Sequence, residues 1–351
     1  LLEDITFDVR EGEVLGIAGV EGNGQFELCE AIIGLVKTEH GAIAIDDHDV
    51  SNASPHERLP LVPIRRGEGV WLEDFDGNRY LDAIGSWWVN LFGHANPRIN
   101  AALKDQLDKL EHAMLAGFTH EPVVQLSEQL AARTQGQLGH CFYASDGASA
   151  VEIALKMSFH YWRNVGKSEK TQFLSLQNSY HGETIGALSV TDVAIFKDTY
   201  APLLKSSVQM PTPDARLAEQ GADAQSAALR AAQQLEDYVS QHHGQIAAFI
   251  VEPLVQCAAG MAMYHPVYLS RARDICNQYN IHLIADEIAV GFGRTGTLFA
   301  CEQANIKPDF MCLSKGITAG YLPLSVTLTT DEIYQAFYDD SVARAFLHSH
   351  S

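Results

Sequence analysis

Two short apolar runs, each ending on a charge, constrain this chain most. Ile281-His282-Leu283-Ile284-Ala285 ends on Asp286-Glu287, and Phe310-Met311-Cys312-Leu313-Ser314 ends on Lys315, with Gly316 next. Continuous apolar runs of this length read as strands of a parallel sheet buried on both faces. Ligands of an open α/β sheet bind at the carboxyl ends of its strands, so Asp286 and Lys315 are predicted to face one crevice.

Further strands are expected at Cys141-Phe142-Tyr143-Ala144, at Phe173-Leu174-Ser175-Leu176 and over 246–251, the last ending in Glu252-Pro253. Between them lie helical patterns. One opens at Ser145-Asp146-Gly147-Ala148-Ser149 and carries Val151, Leu155, Phe159 and Trp162 on a core-facing stripe. Another starts at His265-Pro266 with Leu269, Ala272, Cys276 and Tyr279 on one face, and a third runs to about His242 after a loose polar stretch from Asp214 to Gln233. Strand–helix–strand alternation from Cys141 to Lys315 fits a doubly wound sheet. Upstream, Phe75-Asp76-Gly77-Asn78 between apolar runs signals a hairpin, and helices are expected over 98–112 and 122–133.

Singly, a Lys after a strand is ordinarily a solvated loop residue and an Asp there is a helix cap. Together, at two strand ends, they are also what a pyridoxal phosphate (PLP) enzyme requires. The amine forms a Schiff base with the cofactor aldehyde, and the carboxylate pairs with the pyridine nitrogen. The small residues ahead of the helix at Gly147 allow an anion close to its N-terminus.

The 351 residues are 46% hydrophobic and 19% charged, which suits a globular protein with more than one domain. A formal charge of −20 argues against nucleic acid or an anionic membrane as partner. The six cysteines form no C-x-x-C pair and sit mostly in apolar runs, so buried reduced thiols in a cytoplasmic protein are expected, with no metal site and no disulfide frame. No run has the length of a membrane span.

The first 59 residues read differently. Glu13-Val14-Leu15-Gly16-Ile17-Ala18 is a candidate strand, Gly19 to Phe26 a Gly-rich loop, 27–33 a helix stopped by Gly34, and 41–46 a second strand. This is a P-loop layout, but Gln25 and Phe26 stand where Lys and Ser/Thr are needed for phosphate and Mg²⁺. The segment resembles the start of a degenerate ATP-binding half of sugar- and nucleoside-type ABC transporter ATPases, through Ser54-Pro55-His56-Glu57-Arg58. ATP hydrolysis is not expected of it.

From Pro60 onward the text resembles the class III, fold-type I aminotransferases, most closely at Ala285-Asp286-Glu287-Ile288-Ala289-Val290-Gly291-Phe292-Gly293-Arg294-Thr295-Gly296. The resemblance implies an α/β fold: the large domain of a fold-type I PLP-dependent transferase, with a mostly parallel sheet and helices on both faces, preceded by the partial P-loop-like segment. It divides the chain into 1–59 and 60–351. It makes Lys315 the Schiff-base lysine, Asp286 the pyridinium partner, Gly147 and Ala148 the phosphate site, and Tyr180 the ring stacked on the cofactor.

Gly85-Ser86-Trp87-Trp88-Val89-Asn90, Asn178-Ser179-Tyr180-His181-Gly182 and Met261-Ala262-Met263-Tyr264-His265-Pro266 together resemble the adenosylmethionine–8-amino-7-oxononanoate aminotransferases of biotin synthesis. That implies S-adenosylmethionine as amino donor, 8-amino-7-oxononanoate as acceptor and a homodimer. Trp87, Tyr180, Arg294, Lys315 and Ser349 would face substrate, Ser351 the cofactor phosphate of the second subunit, and Trp88 the core or the dimer interface. The family continues past the position of Ser351 into a small domain with a carboxylate-binding Arg, so this chain is expected to carry the cofactor chemistry while lacking part of the substrate site. Two alternatives stand beside this reading: another class III enzyme acting on ω-amino acids, and an inactive fusion or fragment.

Overall fold

The structure is a computed structural model that describes residues 3–10, 13, 15–17, 24–58, 61–219 and 221–348. The chain divides into two compact units, 1–67 with 71–80, and 68–70 with 81–351.

The first unit is sparse in regular structure. A helix spans Gln25–Ile33 and is closed by Gly34 in a left-handed conformation (φ 87°), as the sequence leads one to expect. The strand expected over 13–18 is absent at residues 13 and 15–17, where Leu15 and Ile17 are exposed. A strand must pair its N–H and C=O groups, and among the described residues none runs beside this one. Of the strand expected over 41–46, only Ala44–Ile45 forms, paired with His48–Asp49. Residue 18 of the first expected strand and residues 19–23 of the Gly-rich loop lie outside the described residues. What ties residues 25–58 together is Arg58, which is buried and donates to the carbonyls of Ala31, Ile32, Ser51 and Ala53. Its charge thus sits at the negative C-terminal end of the helix. The Asp-Gly hairpin forms between Trp71–Asp74 and Arg79–Leu81, with the Asp74 carboxylate accepting from Asp76, Asn78 and Tyr80.

The second unit is built on a seven-stranded sheet. Its strands are β1 (His140–Ala144), β2 (Gln172–Leu176), β3 (Val208–Met210), β4 (Ile246–Val251), β5 (His282–Asp286), β6 (Phe310–Leu313) and β7 (Ser325–Thr329), in spatial order β1-β7-β6-β5-β4-β2-β3. All pairings are parallel except those of β7, which runs against both β6 and β1. The carboxyl ends of β1, β2, β4, β5 and β6 therefore share one edge.

Helices cover both faces. Helix α1 (Gly147–Asn164) packs Val151, Ile153, Ala154 and Leu155 with Ala248, Ile250, Ile284 and Phe310. Helices α2 (Ala224–His242) and α3 (Val267–Gln278) pack Ala228, Leu235, Leu269 and Ala272 with Leu174, Phe249, Val251 and Leu283. From Ala248 to Val251 neighbours along β4 alternate between these two cores, and all six residues of the strand are buried, which is why the run has no polar residue. Each buried Leu, Ile or Phe contributes about 1.5–3 kcal/mol. Sequence periodicity located α1 and α3 to within a few residues, but α2 begins at Ala224, inside the stretch to Gln233 that the sequence led one to expect as loop, and β7 and the short β3 were not foreseen. No helix among the described residues is long and apolar enough to cross a membrane.

Candidate active site

Five strand ends supply the site. Asp286 ends β5, and Lys315 lies two residues past β6. Glu252 follows β4, Tyr180 and His181 follow β2, and Gly147 with Ala148 opens α1 just past β1. All seven line one cavity of about 320 Å³, together with Trp88, Cys257 and Ser314. A second, more apolar cavity of about 490 Å³ shares Trp88, Cys257 and Val290 with the first and is further lined by Met261, Met263, Tyr264 and Arg294.

Lys315 sits at φ 42°, in the left-handed region that a lysine rarely adopts. Its Nζ lies 5.8 Å from the centroid of the Trp88 ring and donates to no acceptor among the described residues. Burial pulls its pKa below the ordinary lysine value, and Arg294 pulls the same way; Asp286, Cys257 and Glu252 oppose them without reversing the sign. The amine is thereby less basic, as a nucleophile or proton carrier must be.

Asp286 is buried. One oxygen accepts from the Ile288 N–H at 3.1 Å, and the other lies 2.7 Å from Nδ1 of His181. Glu252 is also buried; its oxygens accept from the N–H groups of Tyr180 (3.0 Å) and Cys257 (3.1 Å). Burial pushes Glu252 up to about 7. The neighbouring Glu287 is buried too, but it accepts from Ala300 and Cys301 and so anchors the short helix that starts there.

At the head of α1, the Asp146 side chain caps the Ser149 N–H, while Gly147 and Ala148 line the cavity. The first N–H groups of a helix have no acceptor within it, which suits an anion. The loop after β2 crosses so close that a Cβ at Gly182 (φ 115°) would fall 2.6 Å from that of Ala148, hence glycine there.

The turn Gly85–Trp88 is left-handed throughout, with φ between 48° and 68°. Asp82 holds it by accepting from the N–H and hydroxyl of Ser86, and Arg294 donates to the Trp88 carbonyl at 2.8 Å. Trp88 lines both cavities, whereas Trp87 lines neither and is 70% exposed.

Gly147, Ala148, Tyr180, Asp286 and Lys315 are thus brought together. Arg294 lines only the second cavity, and Ser349 and Ser351 lie outside the described residues. Tyr180 donates its hydroxyl to Glu183 at 2.9 Å and meets Phe196 edge-on. Glu252, His181 and Cys257 were not assigned a role from the sequence. Glu252 had a usable signal, since it ends an apolar run as Asp286 does; His181 had none beyond its place beside Tyr180. Among the described residues no cluster could hold a metal ion.

A family model described as "Aminotransferase class-III" matches residues 52–348. Adenosylmethionine-8-amino-7-oxononanoate aminotransferase of Helicobacter pylori is 51% identical over 309 residues, covering 87% of this chain and 68% of that protein. Its counterpart in Anoxybacillus flavithermus is 43% identical, covering 84% of this chain and 65% of the relative. Among solved structures, the enzyme of the same name from Methanocaldococcus jannaschii superposes with a TM-score of 0.77 at 36% identity, covering 86% of this chain and 67% of that one. A PLP-bound amine transaminase from an uncultivated Pseudomonas species reaches 0.79 at 34% identity, covering 90% and 71%. The chain spans about two thirds of the length of these relatives. With the strand-end lysine and aspartate in one cavity and a family match across most of its length, the chain belongs to the class-III aminotransferases.

Proposed function

We propose that this protein transfers the amino group of S-adenosylmethionine to 8-amino-7-oxononanoate, forming 7,8-diaminononanoate, with PLP as its cofactor. The observation that carries the reading is the single cavity holding Lys315 and Asp286, in a chain 51% identical to an aminotransferase of that name. The donor set fits PLP. It offers an amine without a hydrogen-bond acceptor, a buried carboxylate with lone pairs to spare, and a helix N-terminus fronted by Gly147 and Ala148. When bound, PLP supplies an aldehyde for amine exchange and an electron-withdrawing ring.

Asp286 would hold the pyridine nitrogen protonated, and the N-terminus of α1 would hold the phosphate. Tyr180 would flank the ring. Lys315, made less basic by burial, would take the proton from the substrate carbon that bears the amine and return it during the second half-reaction. Trp88 would wall the reacting centre. Trp87, Arg294 and Ser349 are proposed substrate contacts, and Ser351 a phosphate contact in the second subunit of a homodimer. We place the protein in the cytoplasm and assign no part in the reaction to residues 1–59, whose ABC-like text lacks the lysine a P-loop uses.

Borohydride reduction of the PLP-loaded protein followed by peptide mapping should place the label on Lys315; label on another lysine sinks the reading. An amino-donor screen separates it from the alternative favoured by the likeness to amine transaminases. Turnover with S-adenosylmethionine supports the proposal, and turnover with simple amines alone supports the alternative.

A further inference from the structure

The one polar atom at this site that neither the fold nor the proposed reaction uses is Nε2 of His181. The side chain is completely buried and Nε2 has no hydrogen-bond partner among the described residues. Its other nitrogen lies 2.7 Å from Asp286 Oδ2. The backbone is held as well: the His181 N–H donates to the Thr191 hydroxyl, which donates to the Gly182 carbonyl.

The donor follows from this contact. An ionised carboxylate only accepts, so Nδ1 carries the hydrogen and His181 donates to Asp286. That donor fixes the carboxylate in place. The other titratable groups lining the cavity are Asp146, Tyr180, Glu183, Glu252, Cys257 and Lys315, while the Asp286 carboxylate is held by His181 and the Ile288 N–H.

We propose that His181 is a positioning residue: as an Nδ1–H donor it orients Asp286 toward the pyridine nitrogen and so sets both the affinity for PLP and the protonation of its ring. This rests on the functional reading above.

The test compares His181→Asn, whose amide nitrogen can take the place of Nδ1, with His181→Leu, which keeps bulk and removes the donor. PLP affinity is measured by equilibrium dialysis, and the absorbance of the loaded protein is titrated with pH. His181→Leu should weaken PLP binding about tenfold or more and shift the absorbance midpoint, while His181→Asn stays within about threefold of the parent. In the Asp286→Asn background, His181→Leu should cost little further, because the histidine acts through the aspartate. Parent-like affinity and midpoint in His181→Leu would overturn the inference, as would an undiminished loss in the Asp286→Asn background. If His181→Leu does not fold, His181→Asn decides: a full loss of affinity in that folded variant also refutes the inference. Failure of the parent to bind PLP would instead sink the functional reading itself.

Discussion

A buried lysine and a half-buried one stand at opposite edges of the same sheet, and they differ in their hydrogen bonds. Lys170 precedes β2, is 5% exposed and lies 4.6 Å from the Trp162 ring centroid. Lys315 follows β6 beside Trp88. Burial lowers the pKa of both. Lys170, however, donates to three carbonyls, those of His243, Ile246 and Asn280, at 2.8–2.9 Å. It ties the entries of β2, β4 and β5 together, with every proton used. Lys315 uses none. A saturated buried ammonium is a fastener; an unsaturated one is a reagent. The same contrast extends to their neighbours. At the amino-terminal edge the buried lysine is fully hydrogen-bonded, whereas the carboxyl edge leaves Lys315 and His181 Nε2 without acceptors or donors among the described residues and buries the Glu252 carboxyl, so the chemistry is concentrated there.

The sharpest way to break this comparison is to exchange what each lysine is asked to do. Lys315→Ala should abolish transamination, by roughly 10⁴-fold or more, because no other group takes its place. Its stability should stay level or rise, since a buried amine without partners is removed. An unfolding midpoint well below the parent would show Lys315 to be a fastener after all. Next in size is Asp286→Asn. An amide cannot balance a pyridinium, and a loss of roughly a hundred- to a thousandfold in turnover is expected with the fold intact. Near-parent turnover would remove Asp286 from the mechanism.

This edge was legible in the sequence because strand-end charges follow apolar runs. Asp286 and Lys315 stand out that way, and Glu252 stands out equally once the same rule is applied. The fastening edge was not legible. Lys170 sits in a polar turn, Lys167-Ser168-Glu169-Lys170-Thr171, where a lysine ordinarily points to water, and its three acceptors come from residues 73 to 110 positions away. That Trp88 would line both cavities was not legible for a related reason: a left-handed turn places adjacent side chains in directions that helix or strand periodicity does not describe. Strand β7 escaped because Ser325-Val326-Thr327-Leu328-Thr329 alternates like a half-exposed strand, yet it is buried on both faces, Thr327 and Thr329 giving their hydroxyls to the carbonyls of Ala150 and Asp309.

Lys170→Met tests the fastener. Methionine retains the stem over Trp162 but removes the donor shared by the carbonyls of His243, Ile246 and Asn280, of which His243 keeps the Ile246 N–H, so a loss of about 1–3 kcal/mol is expected. Turnover per folded molecule at low temperature should stay within about twofold of the parent. Denaturant titration and initial rates on the same samples separate the two effects; a rate loss larger than the loss of folded protein would mean that the two edges are coupled.

The smallest effect concerns the uncompensated charge of Glu252. Burial raises its pKa from the ordinary glutamate range to about 7, so the folded state holds this proton more tightly than the unfolded chain. Stability from this group is complete below the unfolded value of 4.5 and is lost as pH rises to about 7, with a ceiling on the order of 3 kcal/mol. Glu252→Gln removes the titration. It also removes one of the two acceptor oxygens now used by Tyr180 and Cys257, a cost of about 1–3 kcal/mol that does not vary with pH. The variant should therefore gain on the parent between pH 5 and pH 8, whether or not it starts below it. Glu287 titrates in both proteins and cancels in the difference. Thermal unfolding of cofactor-free parent and variant at the two pH values measures the gain. An unchanged difference would mean that Glu252 is ionised at no cost, and that the carboxyl edge is better balanced than its missing partners imply.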